Sequence, residues 1–318
     1  MKGNSPARRI LITGASGFIG RHLIKYISEE GYTIRATDIL PPREMPEGVE
    51  FVQGDLASIE FAREITQELD GVIHLAAISR VSAARKNPAA CISTNVLGTA
   101  ALLQALYEDN NEPWFILVST REVDEVLKSD MPFELDDIYA ISKRAAEEIA
   151  RCFFRSYNSR LFIFRLSDVY GELPSGDSPP KVLSIFLMRA LQNLTIDVYL
   201  PDMVFHFSHI TDVVNALWEG VKEIQRIETG FEIRRVWPDQ GITLLDLAQL
   251  ICKLTGSCSE IRTEPKLNCS SNSPKSGSEE NNTKYRFSQK ITLEHGLRCL
   301  ITDMNKLSII TRGKLRSE

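Results

Sequence analysis

The chain has no cysteine pair at CxxC spacing, no histidine at a zinc-finger interval and no excess of positive charge. Its six cysteines, Cys91, Cys152, Cys252, Cys258, Cys269 and Cys299, are scattered. They are expected as free thiols, and neither a disulfide framework nor a Cys/His zinc site is indicated. His206 and His209 have no third ligand at metal spacing, so no metal is expected. Lys and Arg total 37 against 42 Asp and Glu, a net charge of −5. That balance argues against nucleic acid or an anionic membrane as the main partner. No apolar run is expected to reach the roughly 18 to 20 residues that cross a bilayer. Met1 to Arg9 is polar and basic with no apolar segment behind it, so the expectation is a cytoplasmic protein. The Asn-x-Ser/Thr triplets at Asn193, Asn268 and Asn281 then carry no glycan argument.

What is present is an ordinary globular composition, 43% hydrophobic and 25% charged over 318 residues, enough for one large fold or two lobes. Short β-branched runs read as buried strands at Arg9–Thr13, Thr33–Thr37, Val49–Gln53, Gly71–Leu75, Trp114–Ser119 and Leu161–Leu166. Helical patterns alternate with them at Phe18–Glu30, Ile59–Leu69, Asn95–Tyr107 and Tyr139–Ser156. Such alternation implies right-handed crossovers and a doubly wound parallel sheet, an α/β fold. In the last helix Ala145, Ala146, Ile149, Ala150, Phe153 and Phe154 form an apolar stripe from which Lys143, Glu147 and Arg151 are expected to fall away. After Gly171 the pattern breaks at Pro174, Gly176, Pro179 and Pro180, and a smaller C-terminal lobe is expected. The division reads as 1–172, with 206–229 returning to it, against 173–205 and 230–318. Within the second part, 268–283 is polar and of low complexity and reads as a mobile loop.

Thr13-Gly14-Ala15-Ser16-Gly17-Phe18-Ile19-Gly20 follows the first predicted strand and opens a helix. In that context Gly14 permits a tight turn, Gly17 lets backbone amides approach a pyrophosphate, and Gly20 allows close helix–strand packing. The helix N-terminus offers unpaired N–H groups and partial positive charge to phosphates. Asp38 closes the second strand, where a carboxylate accepts from both ribose hydroxyls of adenosine and repels a 2′-phosphate. The expected cofactor is NAD.

Tyr139 and Lys143 lie one helical turn apart on a common face. A free phenol, with a pKa of ~10, is a poor base at neutral pH. A neighbouring ammonium favours the phenolate, so Tyr139 can exchange a proton with a substrate hydroxyl. Thr120 ends the preceding strand, where its hydroxyl could orient the same oxygen or cap a turn; Ser119 is the second candidate. His74, in an apolar strand-end setting, reads as packing rather than catalysis.

These motifs occur in order with Gly54-Asp55-Leu56, His74-Leu75-Ala76-Ala77 and Asn95-Val96-Leu97-Gly98-Thr99. Later come Arg165-Leu166-Ser167-Asp168-Val169-Tyr170-Gly171, His206 to Asp212, and Ile291 to Leu297. Together they resemble the extended short-chain dehydrogenase/reductases, and more narrowly the NAD-dependent epimerase/dehydratase group that acts on nucleotide sugars. The resemblance implies a Rossmann sheet with a smaller C-terminal substrate-binding lobe. It implies cofactor contacts from Gly14, Ser16, Gly17, Phe18, Ile19, Gly20 and Asp38, and adenine contacts from Asp55 and Leu56. Leu75, Ala76, Ala77, Asn95 and Ser119 would line the same cleft beside Tyr139 and Lys143. Ser79, Arg80, Arg121, Glu122 and Asp168 would face the substrate. A homodimer through the helices at Asn95–Tyr107 and Tyr139–Ser156 is also implied.

The chain departs from the group at several positions. Val123-Asp124-Glu125 stands where Val-Tyr-Gly is usual, Asp168 replaces an Asn that touches the diphosphate, and Phe205 takes the place of an Arg. Both of the latter changes remove attraction for a phosphate. Either Lys181, Arg189, Arg234 or Arg235 compensates, or the substrate lacks a diphosphate. In related 4,6-dehydratases an Asp-Glu pair supplies acid and base; Glu122 matches it, but Arg121 cannot donate a proton at neutral pH. Arg121 either binds a substrate carboxylate or is a solvated loop residue. The principal expectation is therefore an NAD-dependent nucleotide-sugar epimerase working through a transient ketone. A net dehydrogenase or reductase, a dehydratase or decarboxylase, and a non-enzymatic dinucleotide sensor are the competing readings.

Overall fold

A computed structural model describes residues 9–108, 113–126, 132–172, 181–263 and 285–314. The expected loop at 268–283 lies outside them. The first half runs β1 (Arg9–Thr13), α1 (Phe18–Ser28), β2 (Thr33–Asp38), β3 (Glu50–Gln53), α2 (Ile59–Ile65), β4 (Gly71–His74), α3 (Val81–Lys86) and α4 (Pro88–Ile92). A π-helical turn (Ser93–Leu97) leads into α5 (Gly98–Glu108), β5 (Trp114–Thr120) and α6 (Glu122–Val126). A 3₁₀ turn (Leu135–Asp137), α7 (Ile138–Tyr157) and β6 (Arg160–Leu166) follow. The second half comprises β7 (Asp168–Tyr170), α8 (Val182–Leu191), β8 (Ile196–Val198), β9 (Val204–Phe205), β10 (Phe207–His209) and α9 (Ile210–Ile224). It ends with β11 (Gly230–Val236), β12 (Ile242–Thr243), α10 (Leu244–Thr255), β13 (Ile261–Thr263) and α11 (Leu293–Lys314).

Seven strands form a parallel sheet in the order β11-β6-β5-β4-β1-β2-β3. The strand order reverses between β1 and β4, and in sheets of this type a crevice opens there at the carboxyl ends. Ile10, Leu11 and Ile12 in β1, like Val72 and Ile73 in β4, are wholly buried because helices cover both faces. The sheet belongs to a larger unit that takes the chain up to Leu166, Val214–Val236 and a short stretch ending at Arg286. The smaller unit takes Ser167–Val213, the chain from Trp237, and Phe287 onward. Its core gathers Leu183, Phe186 and Leu187 of α8 with Leu247, Ile251 and Leu297 of α10 and α11.

The expected boundaries shift in two places. Gly230–Val236 was expected in the smaller lobe, yet β11 pairs with β6 along its whole length, from Gly230 opposite Arg160 to Val236 opposite Leu166. Conversely 167–172 and 206–213 pack in the smaller unit, because β7 pairs with β10 there rather than joining the main sheet. A third difference concerns length and hydropathy. Pro88 to Glu108 is one helical run of 21 residues, long and apolar enough by those measures to cross a membrane. Leu102, Leu103 and Leu106 on it are instead buried in the sheet core with Leu11, Val72 and Phe115. Core helices of globular proteins pass the same test of length and composition.

Candidate active site

The turn after β1 is built by glycine. Gly14 sits at φ +70°, and a Cβ there would stand 2.7 Å from the Ala76 backbone nitrogen. At Gly20 a Cβ would lie 2.2 Å from the Gly14 carbonyl oxygen, so α1 could not approach β1 as it does. The helix opens at Gly17 with no side-chain cap and no acidic residue in its first turn. Its leading N–H groups therefore face the crevice with nothing negative on their own element to occupy them. That is the donor set a pyrophosphate requires, and the local sequence fits a dinucleotide.

Asp38 ends β2 beside this turn. One carboxylate oxygen accepts from Ser16 N at 3.0 Å and the other from Leu40 N at 3.2 Å, while the Ser16 hydroxyl donates to Leu40 O at 2.6 Å. Each carboxylate oxygen keeps a second lone pair, which suits a ribose diol. Asp55 Oδ1 accepts from Ala57 N at 2.9 Å. Leu56 is buried in the sheet core, with Gly98 close against it.

At the end of β4, His74 is wholly buried and bonded at both nitrogens. Nδ1 lies 2.7 Å from Thr13 Oγ1 and Nε2 lies 2.9 Å from Thr99 Oγ1. Thr99 already donates to Asn95 O at 2.7 Å, so Nε2 must carry the proton and Nδ1 must accept from Thr13. Burial, with the Lys143 charge in addition, pushes His74 down to about 3, and it stays neutral. The packing role expected of it holds. Thr13 Oγ1 in turn accepts from the backbone N–H groups of Leu75 and Ala76, which fixes the Leu75-Ala76-Ala77 segment.

The π-turn carries Asn95. Its oxygen accepts from Ile78 N at 2.8 Å, and its nitrogen donates to Ile78 O at 3.1 Å and Ser142 Oγ at 2.9 Å. Asn95 thereby ties the segment after β4 to α7 one residue before Lys143. Ser79 is exposed on that segment, and Arg80 occupies the N-cap position of α3.

α7 presents an unexpected face. Tyr139, Ser142, Lys143, Ala146, Glu147 and Ala150 are its buried residues, so Lys143 and Glu147 point inward rather than away. Apolar periodicity misplaced them because the helix buries a polar stripe at the same spacing. Burial lowers Lys143 to about 8, opposed by the charge of Glu147 and then by Cys91. Glu147 is fully buried and accepts from Ser119 Oγ at 2.5 Å. Ser119 is thus committed to the helix. Thr120, one residue on, accepts from Glu122 N at 3.4 Å and keeps its own proton to donate.

Glu147 also receives Arg165 of β6, with Nε to Oε1 at 3.0 Å and Nη2 to Oε2 at 2.6 Å. The third Arg165 nitrogen bonds Asp124 of α6, which accepts in addition from Arg235 Nε at 3.0 Å. Sequence spacing alone does not bring these four residues together. The signal was Asp124 in place of the usual tyrosine. Arg121 and Glu122 are partly exposed beside it, and Arg121 N donates to Leu166 O at 2.8 Å.

In the smaller unit, Asp168 faces Lys181 at 3.9 Å, and Phe205 stacks on Phe207 with ring centroids 5.8 Å apart. Three of the four cations expected to compensate are engaged with other carboxylates: Arg189 with Asp197, Arg234 with Glu223 and Glu232, Arg235 with Asp124. Lys181 is the one placed on Asp168. The five described cysteines are free thiols. Among the described residues no group of His, Cys, Asp and Glu could hold a metal ion.

Comparison with known proteins agrees with this geometry. Residues 10–233 match the NAD dependent epimerase/dehydratase family. The chain is 31% identical over 254 residues to dTDP-D-glucose 4,6-dehydratase of Bos taurus, covering 72% of this chain and 70% of that one. Its fold is similar to UDP-glucose 4-epimerase of Thermotoga maritima, solved with UDP-glucose, at a TM-score of 0.79, 24% identity, and coverage of 94% and 99%. It is also similar to WbmF of Bordetella bronchiseptica, solved with NAD+, at a TM-score of 0.76, 22% identity, and coverage of 96% and 95%. With its glycine turn, its parallel sheet and these likenesses taken together, the chain belongs to the NAD dependent epimerase/dehydratase family.

Proposed function

We propose that this chain is an NAD-dependent epimerase of a nucleotide sugar, oxidising a ring hydroxyl to a ketone and reducing it again from the other face. The observation that carries this reading is the Tyr139–Lys143 pair on the buried face of α7, a helix packed against the strand that ends in Thr120. Bound NAD supplies the acceptor that takes a hydride from the sugar carbon and later gives it back. The protein's own groups manage the proton and the orientation. Tyr139 takes the hydroxyl proton through its phenolic oxygen, and the Lys143 ammonium stabilises the negative charge that the phenol carries beforehand. Thr120 donates to the same substrate oxygen and holds it toward Tyr139. The first turn of α1 would hold the pyrophosphate, and Asp38 would hold the adenosine ribose and select against a 2′-phosphate.

Arg121 shapes the choice among reactions. Loss of water from the sugar requires a proton donor for the departing hydroxyl, and a guanidinium cannot supply one at neutral pH. Dehydration is the second reading, favoured by Glu122 and by the likeness to the bovine dehydratase. A pairing of two copies through α5 and α7 belongs to the same proposal.

The test is to incubate the NAD-loaded chain with UDP-, GDP-, dTDP- and CDP-sugars in deuterated water and follow the sugar by proton NMR. An epimer without solvent deuterium at the inverted carbon is the expected product. A keto-deoxy sugar carrying deuterium beside the ketone would establish dehydration instead. Accumulating NADH in solution would favour the net dehydrogenase. Tyr139→Phe is expected to slow turnover by roughly 10²- to 10⁴-fold while the fold is retained.

A further inference from the structure

Tyr139, Lys143 and Glu147 occupy successive turns of one buried helix face, and the charges do not stop there. Arg165, 1% exposed, clasps Glu147 with two nitrogens and gives its third to Asp124, while Arg235 reaches Asp124 from β11. Two carboxylates and two guanidiniums cancel, and the Lys143 ammonium remains. We propose that Asp124 is a positioning residue for the reacting pair: by holding Arg165 and Arg235 it leaves part of the Glu147 negative charge to the Lys143 ammonium. This rests on the reading of Tyr139 and Lys143 as the reacting groups.

The physical argument is competition for one carboxylate. With Asp124 neutral, Glu147 alone would balance Arg165, Arg235 and Lys143 in a poorly screened interior, where charges act strongly on one another. Lys143 would then release its proton more readily. The remaining neighbours do not take over this task. His74 of β4 is neutral, and Cys91 of α4, which supports the Lys143 charge less than Glu147 does, touches neither Asp124 nor Arg235. β5 brings only the hydroxyls of Ser119 and Thr120, and the π-turn brings no ionisable side chain. α5 contributes Tyr107, bonded to Ser159, and Glu108, locked to Arg63. Arg85 of α3 pairs with Asp136 of the 3₁₀ turn at the surface, where Lys86 is also exposed, and the half-buried Asp137 accepts from Glu134 N. On α7 itself Arg144, Glu148 and Arg151 pair with one another on the more exposed side. Glu122 lies on α6 beside Asp124, and Arg160 begins β6.

The experiment is an NMR titration of the lysine Cε signals in the full chain carrying ¹³C-lysine, with Lys143 assigned by its loss in Lys143→Arg. Burial and Glu147 place Lys143 at about 8, inside the accessible range. Asp124→Asn is expected to move its titration downward by roughly half a unit or more, and Arg235→Gln, which removes a positive charge, to move it upward. Asp124→Glu is expected to restore the position of the unaltered chain. Opposite displacements by the two variants support the proposal, because a merely structural loosening would not change sign with charge. No displacement in either variant, or displacement in the same direction by both, overturns it. If Asp124→Asn fails to fold, Arg235→Gln decides by itself, an upward move supporting and an unmoved signal refuting. The titration is read without substrate, so an unmoved Lys143 and an absence of nucleotide-sugar turnover are separate results.

Discussion

Neutral His74 is held by two threonine hydroxyls in the interior, and this has a measurable effect on acid stability. The unfolded chain takes a proton at its ordinary value of 6.5, whereas the folded chain resists protonation down to about 3. Between those values the unfolded state binds more protons, so stability falls as the pH falls through this window. From pH 7 to pH 5 the contribution of this one group is on the order of 2 kcal/mol. His74→Gln is expected to be less stable at pH 7 but to show a flatter dependence between pH 7 and pH 5, as read by urea midpoints. Lys143 is also a base whose charged form burial penalises, and its slope has the same sign. Its folded value of about 8 lies below the ordinary 10.5, so its burial disfavours folding below about 8 and that penalty is relieved as pH rises toward 10.5.

Among the elements, the turn from β1 into α1 leaves little room for change. Gly14→Ala would place a methyl against the backbone of Leu75 and Ala76, from a left-handed conformation that L side chains rarely adopt. A loss on the order of 1 to 3 kcal/mol is expected, with NAD binding weakened further, measured by thermal melting with and without NAD. This turn was readable from the sequence because glycine spacing reports backbone geometry directly. So were all six N-terminal strands, to within a residue at either end, since buried parallel strands leave uninterrupted β-branched runs. The face of α7 was not readable. A pattern reader assigns Lys and Glu to solvent, and here both are buried, Glu147 against partners elsewhere in the chain, Arg165 and Ser119. The sidedness of β7 and β11 escaped for a similar reason. Val169 and Tyr170 look like a continuation of the β6 region, yet β7 pairs with β10 in the smaller unit, and the seventh strand of the large sheet comes from Gly230–Val236.

For the whole molecule, cofactor binding should appear as stabilisation. A ligand that binds only the folded state raises stability by about 2.7 kcal/mol at a hundred times its dissociation constant. NAD is expected to raise the melting temperature and NADP to do so weakly, because a carboxylate at the end of β2 would repel a 2′-phosphate. Asp38→Ala is expected to narrow that difference. Equal stabilisation of the unaltered chain by both dinucleotides would remove the selectivity assigned to Asp38. The two compact units are interleaved along the chain, with the large sheet drawing on Gly230–Val236 after an excursion through the smaller unit.

That excursion has a consequence for synthesis. When a ribosome has released the chain only as far as Leu166, the outer edge of β6 still lacks its neighbour. A nascent polypeptide in that condition presents seven residues of unpaired strand, which other chains can capture. Some seventy further residues must emerge before the gap is filled, several seconds at ordinary translation speeds. Fragments ending near 172 should therefore accumulate in inclusion bodies, and chaperone demand during expression should fall once fragments extend past Val236.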